Sequence, residues 1–280
     1  MKFLRVVIDN NIVPAILAGN GTLRDLSFVT KDLTSDFLTN FLENKISFKE
    51  DKLPIIKSFE KIGPCISNPS KFLAVGLNFA DHAIEQNMPV PKEPLIFSKA
   101  TTCISGPNDE IILPKNSVKT DWEVEIAFVV GKKAKNLSVD EAHKSIFGYC
   151  LVCDVSERDF QKNRGGQFIK GKSADSFGPI GPYLVTKDEI TNVYDLNMTL
   201  DVNNKRMQTG NTKEMIFKMD YCLSYLSQFM TLLPGDVVTT GTPPGVGDSM
   251  KPPKYLKEGD VVTLKIDHLG DQKHNVVRFN

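Results

Sequence analysis

The sequence predicts a mixed α/β, mainly β fold. Short runs of β-branched and apolar residues recur along the chain, turn-prone Asn, Asp and Gly residues separate them, and only a few stretches space their apolar residues as a helix does. The 280 residues divide into a small β-rich N-terminal unit over 1–65 and a larger unit over 70–280. Ile62-Gly63-Pro64 and Asn68-Pro69-Ser70 punctuate the join. Lys+Arg and Asp+Glu both number 34, which leaves no electrostatic case for nucleic acid or an anionic membrane as partner. Five cysteines, an odd number, argue for reduced thiols and a cytoplasmic protein. Met1 to Ile8 reads as a strand rather than a signal peptide, and no apolar stretch approaches the roughly 20 residues of a membrane helix.

Phe3–Ile8 and Ile12–Leu17 form a hairpin about Asp9-Asn10-Asn11. Thr34 to Asn44 reads as a helix capped by Thr34 or Ser35, with Phe37, Leu38, Phe41 and Leu42 on one face. Phe72 to Asn78 is a buried strand ending at a glycine, followed by a short helix over Asp81–Glu85 that places His82 and Glu85 on one face. Such a pair activates a water as general base, or is an incidental ion pair on a surface helix. Pro-rich Met88–Pro94 follows, so the helix is expected to act as a mobile lid.

Glu123 to Val130 reads as a strand, and residues two apart share a face, so Glu123 and Glu125 lie side by side. Two carboxylates in an apolar strand call for a compensating cation, and oxygen ligands suit Mg²⁺ or Mn²⁺; an exposed strand face with two solvated acids has the same pattern. Ser138 or Asp140 caps a helix through Lys144. The strand Tyr149–Val152 then leads to Asp154, a third oxygen ligand from a neighbouring strand. Cys150 and Cys153 lie three apart on that strand and face opposite ways, against a zinc or redox pair. Ser156 to Gln161 is helical, and Asn163 to Ser173 is a Gly- and Lys-rich loop, either holding an anion or solvated. Leu196–Val202 and Met207-Gln208 form a hairpin about Asn203-Asn204. Asn211 and Glu214 suggest a capping box for a helix over Thr212–Met230, whose methionines pack in the core. Gly-Asp-Val-Val-Thr occurs at Gly235 and Gly259, each a turn feeding a strand, and Thr239 to Gly247 makes a defined pocket loop.

Together, Gly76–Glu85, Asp121–Glu125, Cys153–Asp159, Lys170–Ser173 and Thr240–Gly247 resemble, in order, the motifs of the fumarylacetoacetate hydrolase superfamily over about 70–280. The resemblance implies a β-roll or β-sandwich catalytic domain, a homodimer, and one Mg²⁺ or Mn²⁺ per subunit. It assigns Glu123, Glu125 and Asp154 as metal ligands, His82 and Glu85 as the water-activating dyad, Lys172 as the lysine that polarises substrate, and Arg158, Gln161 and Thr242 as substrate contacts. Phe79 stands where the family often has tyrosine and Phe168 where it often has tryptophan, both expected at the pocket wall.

Arg164–Gln167, Lys170–Lys172 and Asp175–Pro182 are similar to the branch that cleaves 2,4-dioxo-3-deoxy sugar acids of the rhamnonate and fuconate type, whose relatives are often labelled ureidoglycolate lyases. The expected activity is therefore hydrolysis of a carbon–carbon bond in a small diketo acid. Rival readings are decarboxylation of oxaloacetate-like acids, isomerisation of hydroxymuconate-type dienes, and a non-catalytic binding protein of the same fold.

Overall fold

The computed structural model describes residues 1–279. β1 (Lys2–Ile8) and β2 (Asn11–Leu17) pair from Lys2↔Leu17 to Ile8↔Asn11, and both turn residues, Asp9 and Asn10, have positive φ, as a tight primed turn requires. β3 (Leu23–Asp25) adds beside β2, and α1 (Ser35–Leu42) follows, its first turn capped by the Thr34 hydroxyl accepting from the Phe37 N–H. Next come β4 (Phe72–Gly76), α2 (Ala80–Glu85), β5 (Leu95–Lys99) and β6 (Val124–Val130). α3 (Val139–Ser145) starts in a capping box of Ser138 and Glu141 and leads into β7 (Ile146–Cys153). The chain continues through α4 (Arg158–Lys162), α5 (Ile169–Lys172), β8 (Leu184–Thr186), β9 (Asn197–Val202), β10 (Lys205–Asn211) and α6 (Met219–Phe229). It closes with β11 (Val237–Thr239), β12 (Val261–Ile266) and β13 (Gly270–Arg278).

The larger sheet runs β3-β2-β1-β8-β7-β6-β11-β4-β5, with the short strand Lys61–Ile62 also paired to β1. The smaller runs β10-β9-β12-β13 and ends on Ile111–Leu113. Side chains of β6 and β7 join those of β9 and β12 in one core, so the sheets form the two layers of the expected mainly β fold. Every residue of β6 and β7 is buried, which explains why both strands read as apolar runs rather than alternating ones. No helix among the described residues is long and apolar enough to cross a membrane.

Residues 1–65 extend this framework. β1 pairs with β8 at Phe3↔Leu184, and Phe3 packs against Phe37, Phe41 and Phe147, so the N-terminal segment and β7 share one core.

Three local expectations are corrected. β6 begins at Val124, leaving Glu123 in the short break after the two-residue strand Thr120–Asp121, so the two glutamates are not neighbours by strand alternation alone. The Gly- and Lys-rich stretch is not all loop, because Ile169–Lys172 forms α5; Gly171 is required there, since a Cβ would lie 2.5 Å from the Glu157 carbonyl oxygen. The expected helix over Thr212–Met230 is split. Asn211 caps only a single 3₁₀ turn, Thr212–Glu214, and α6 starts at Met219. Between them the chain is extended because the N–H groups of Ile216 and Phe217 are held by Asn78, through its carbonyl and its side chain. Tertiary hydrogen bonding overrides helix propensity there.

Candidate active site

The antiparallel register of β6 and β7 sets Val124 opposite Cys153, and the Asp154 N–H donates to the Glu123 carbonyl at 2.9 Å. That register brings Glu123, Glu125 and Asp154 together: all three are buried, and one oxygen from each lies within 4.8 Å of the others. α5 and α4 supply the cations. Lys172 Nζ donates to Glu123 Oε2 at 2.7 Å and to Asp154 Oδ2 at 2.6 Å, and Arg158 Nη2 donates to Glu123 Oε1 at 2.7 Å. Arg158 also donates from Nε to Asp121 at 2.9 Å and from Nη1 to the Gln161 side-chain oxygen at 3.1 Å.

Burial would raise the carboxyl of Glu123, but Lys172 and Arg158 outweigh it and hold that carboxyl well below the usual range. Glu125 moves the opposite way. Burial, with Asp154 and Glu123 beside it, pushes its carboxyl well up, and its hydrogen-bond donors, the Thr239 hydroxyl and the Gly241 N–H, carry no charge. Around the cluster stand four carboxylates, Asp121, Glu123, Glu125 and Asp154, against three cations, Lys99, Arg158 and Lys172. Glu125 is the acid without a cationic partner. A hard divalent cation held by Glu123, Glu125 and Asp154 fits this donor set and supplies the missing charge.

His82 faces the same pocket, with Glu85 behind it. α2 starts where Asn78 is locked: its amide donates to the carbonyls of Thr240 and Phe217, and its oxygen accepts the Phe217 N–H. His82 Nδ1 lies 2.9 Å from Glu85 Oε2; because a carboxylate only accepts, Nδ1 carries the proton, and Nε2 is the nitrogen left to accept one in the neutral ring. Glu85 Oε1 accepts the Gly245 N–H at 2.9 Å, clamping the dyad to the loop after β11. Burial would raise Glu85, but the bonds from His82 and Gly245 prevail and its carboxyl titrates below its ordinary value.

The pocket, about 150 Å³, is lined by His82, Glu123, Glu125, Arg158, Gln161, Lys172 and Thr242, with Phe97 and Phe168 as an apolar wall. Of the nine residues expected at the site, Glu85 and Asp154 stand one contact behind the lining, on His82 and Lys172. Thr242 does not present a free hydroxyl: it donates to the Val124 carbonyl and accepts from Gln208. Phe168 lines the pocket as expected; Phe79 does not, being fully buried beside α2.

Three residues that hold the site were missed. Lys99, wholly buried, donates from Nζ to Asp154 Oδ1 and to the Lys172 carbonyl, both at 2.5 Å. Asp121 accepts Arg158 and the N–H groups of Gly247 and Asp248, joining the cluster to the β11 loop. Gln208 bonds Val124, Thr242 and Pro243. A lysine inside the apolar run Leu95–Lys99 was the available signal for the first; Gln208 had none.

A buried acidic cluster that could hold a metal ion thus lies beside a histidine–carboxylate pair in a mainly β fold. Residues 71–277 match the family model of the fumarylacetoacetate (FAA) hydrolase C-terminal domain, and the chain belongs to that family. A relative from Burkholderia multivorans, carried only under a general hydrolase name, is 49% identical over 274 residues, 97% of each chain. Among solved structures, the fumarylacetoacetate hydrolase of Exiguobacterium antarcticum superposes with a TM-score of 0.89 at 32% identity, covering 100% of both chains. Maleylpyruvate hydrolase from Sphingobium sp. SYK-6, solved with manganese(II) and pyruvate, superposes at 0.82 with 24% identity over 100% of both chains, a likeness of fold.

Proposed function

We propose that the protein hydrolyses a carbon–carbon bond in a 2,4-dioxo acid, releasing pyruvate and a second carboxylic acid. The observation that carries this reading is the single pocket shared by the acidic cluster and the His82–Glu85 pair. Glu123, Glu125 and Asp154 would hold Mg²⁺ or Mn²⁺, which when bound supplies Lewis acidity toward the α-keto acid end of a substrate. His82 Nε2 takes a proton from water as its oxygen bonds to C4; Glu85 keeps Nδ1 protonated and steadies the imidazolium. The C3–C4 bond then breaks, its electron pair passes to the pyruvate fragment as an enolate, and a proton returned to C3 completes pyruvate. Lys172 and Arg158 face that developing negative charge from fixed, desolvated positions. Gln161, held against Arg158, orients the acid end.

Within this class a 2,4-dioxo-3-deoxy sugar acid is the substrate to test first. The similarity of segments 164–182 supports it, and Gln86 and Asp248 add hydroxyl partners to the pocket lining. The reading includes a cytosolic homodimer, which the family resemblance implies and sedimentation tests. Turnover of a panel of 2,4-dioxo acids should give pyruvate plus the second acid, stop with chelator, and return with Mg²⁺ or Mn²⁺. Undiminished turnover in chelator, or CO₂ as the product, contradicts the proposal.

A further inference from the structure

A second cleft, of about 610 Å³, shares no lining residue with the active pocket. Its floor is apolar, formed by Trp122, Met207 and Leu256. Lys205, Lys254 and Lys257 stand exposed at its rim, and none of them makes an ion pair among the described residues. Asp260, the one acid in the lining, accepts from the Asn203 amide and the Lys257 N–H, both at 2.8 Å, and pairs with none of the lysines, so three cations stand against one carboxylate. The volume falls within the roughly 300–1,000 Å³ typical of small-molecule sites.

These features select one class of ligand. An inorganic anion would meet the lysines and leave the apolar floor wet; an uncharged hydrocarbon would cover the floor and leave the lysines unused. Three cations on a chain without excess positive charge are also too few to hold nucleic acid. We propose that this cleft binds a small organic anion with an apolar body of several carbons, separately from the active pocket. Its occupant touches groups that reach the active pocket: the Tyr255 hydroxyl, from the cleft wall, donates at 2.7 Å to Asp248, which lines that pocket.

Trp122 is the only tryptophan in the chain, so its fluorescence reports the floor of the cleft directly. Titration with hexanoate should change that emission saturably, while acetate and hexanol, which each lack one half of the ligand, should bind about tenfold more weakly or worse. The double substitution Lys254→Glu/Lys257→Glu should weaken hexanoate by about tenfold or more, whereas Phe168→Glu, which places a negative charge in the active pocket, should leave it unchanged. Four results overturn the proposal: no saturable change; a change that survives the lysine double variant; a change abolished by Phe168→Glu, which moves the binding to the active pocket; or silence to hexanoate with an oligomer that the double variant dissociates, which assigns the cleft to a second copy of the chain.

Discussion

The acidic cluster and the helix carrying His82 solve opposite problems at one pocket. Glu125 belongs to one of two paired central strands buried along their whole length, Asp154 directly follows the other, and Glu123 directly precedes the first; Lys99, Lys172 and Arg158 then tie Glu123 and Asp154 in place. His82 sits on a helix of six residues whose neighbours face solvent: Ile84 is 74% exposed, Met88 52% and Val90 55%. The Gly245 N–H on Glu85 and the Gln86 bond to Ser249 fasten it to the loop after β11. The cluster, which the proposed function makes the binding half of the site, is built in advance, while the pair to which it gives the proton is held by fewer bonds. A site that must admit substrate and then exclude water gains from that division.

The largest effect expected from breaking this contrast is on the built half. Glu123→Gln removes a proposed metal ligand and leaves two buried cations, Arg158 and Lys172, short of a partner. Activity should be lost, and denaturant unfolding should show a loss of roughly 3–5 kcal/mol, the range for a broken buried ion pair. A variant of wild-type stability would mean that the cluster is not the pre-formed element described here.

On the lightly attached half the effects should be local. Gln86→Ala removes the bond to the Ser249 hydroxyl, worth about 1 kcal/mol. Amides over 81–93 should then exchange about fivefold faster, with no change in β6 or β7. A non-cleavable diketo acid should protect the same amides in the wild type. Equal exchange with and without that ligand would show that α2 does not move as a lid.

The smallest expected effect is on acid stability. The carboxyl of Glu85 titrates below its ordinary value of 4.5 in the fold, so the stability it contributes is complete above that value and is lost as pH falls through the lower folded one. Glu85→Gln should therefore lose that contribution at neutral pH and flatten the acid limb of a stability–pH curve below 4.5, so that variant and wild type converge at low pH. An unchanged acid limb would mean that the His82 and Gly245 bonds are not made in solution.

Much of the site could be read in the sequence because its parts are local. His82 and Glu85 are one helical turn apart, Glu123 and Glu125 belong to one short segment, and Asp154 directly follows an apolar strand. Turn chemistry was equally legible: Asp9-Asn10 and Asn203-Asn204 occupy positive φ where hairpins were expected. What stayed hidden depends on residues far apart in the chain. Lys99 meets Asp154 across 55 positions and Gln208 meets Val124 across 84, separations for which a single sequence has no signal. The break before α6 is of the same kind, since Asn78 captures a segment 139 positions away. The integration of residues 1–65 also follows from a long-range pairing, β1 with β8.

The central claim is that the movable dyad activates water while the rigid cluster binds the substrate, and both reactions of one variant test it most directly. His82→Ala should reduce 2,4-dioxo acid cleavage by roughly 10²–10⁴, the usual worth of a general base. Metal affinity should stay near wild type, because His82 touches none of the three carboxylates in the cluster. Any decarboxylation of oxaloacetate, which needs no activated water, should fall far less. Products resolved as pyruvate plus a second acid, or as pyruvate plus CO₂, separate the two reactions on the same sample. A selective loss of cleavage is the predicted result; an equal loss of both would reduce His82 and Glu85 to a closing device and contradict the hydrolytic account.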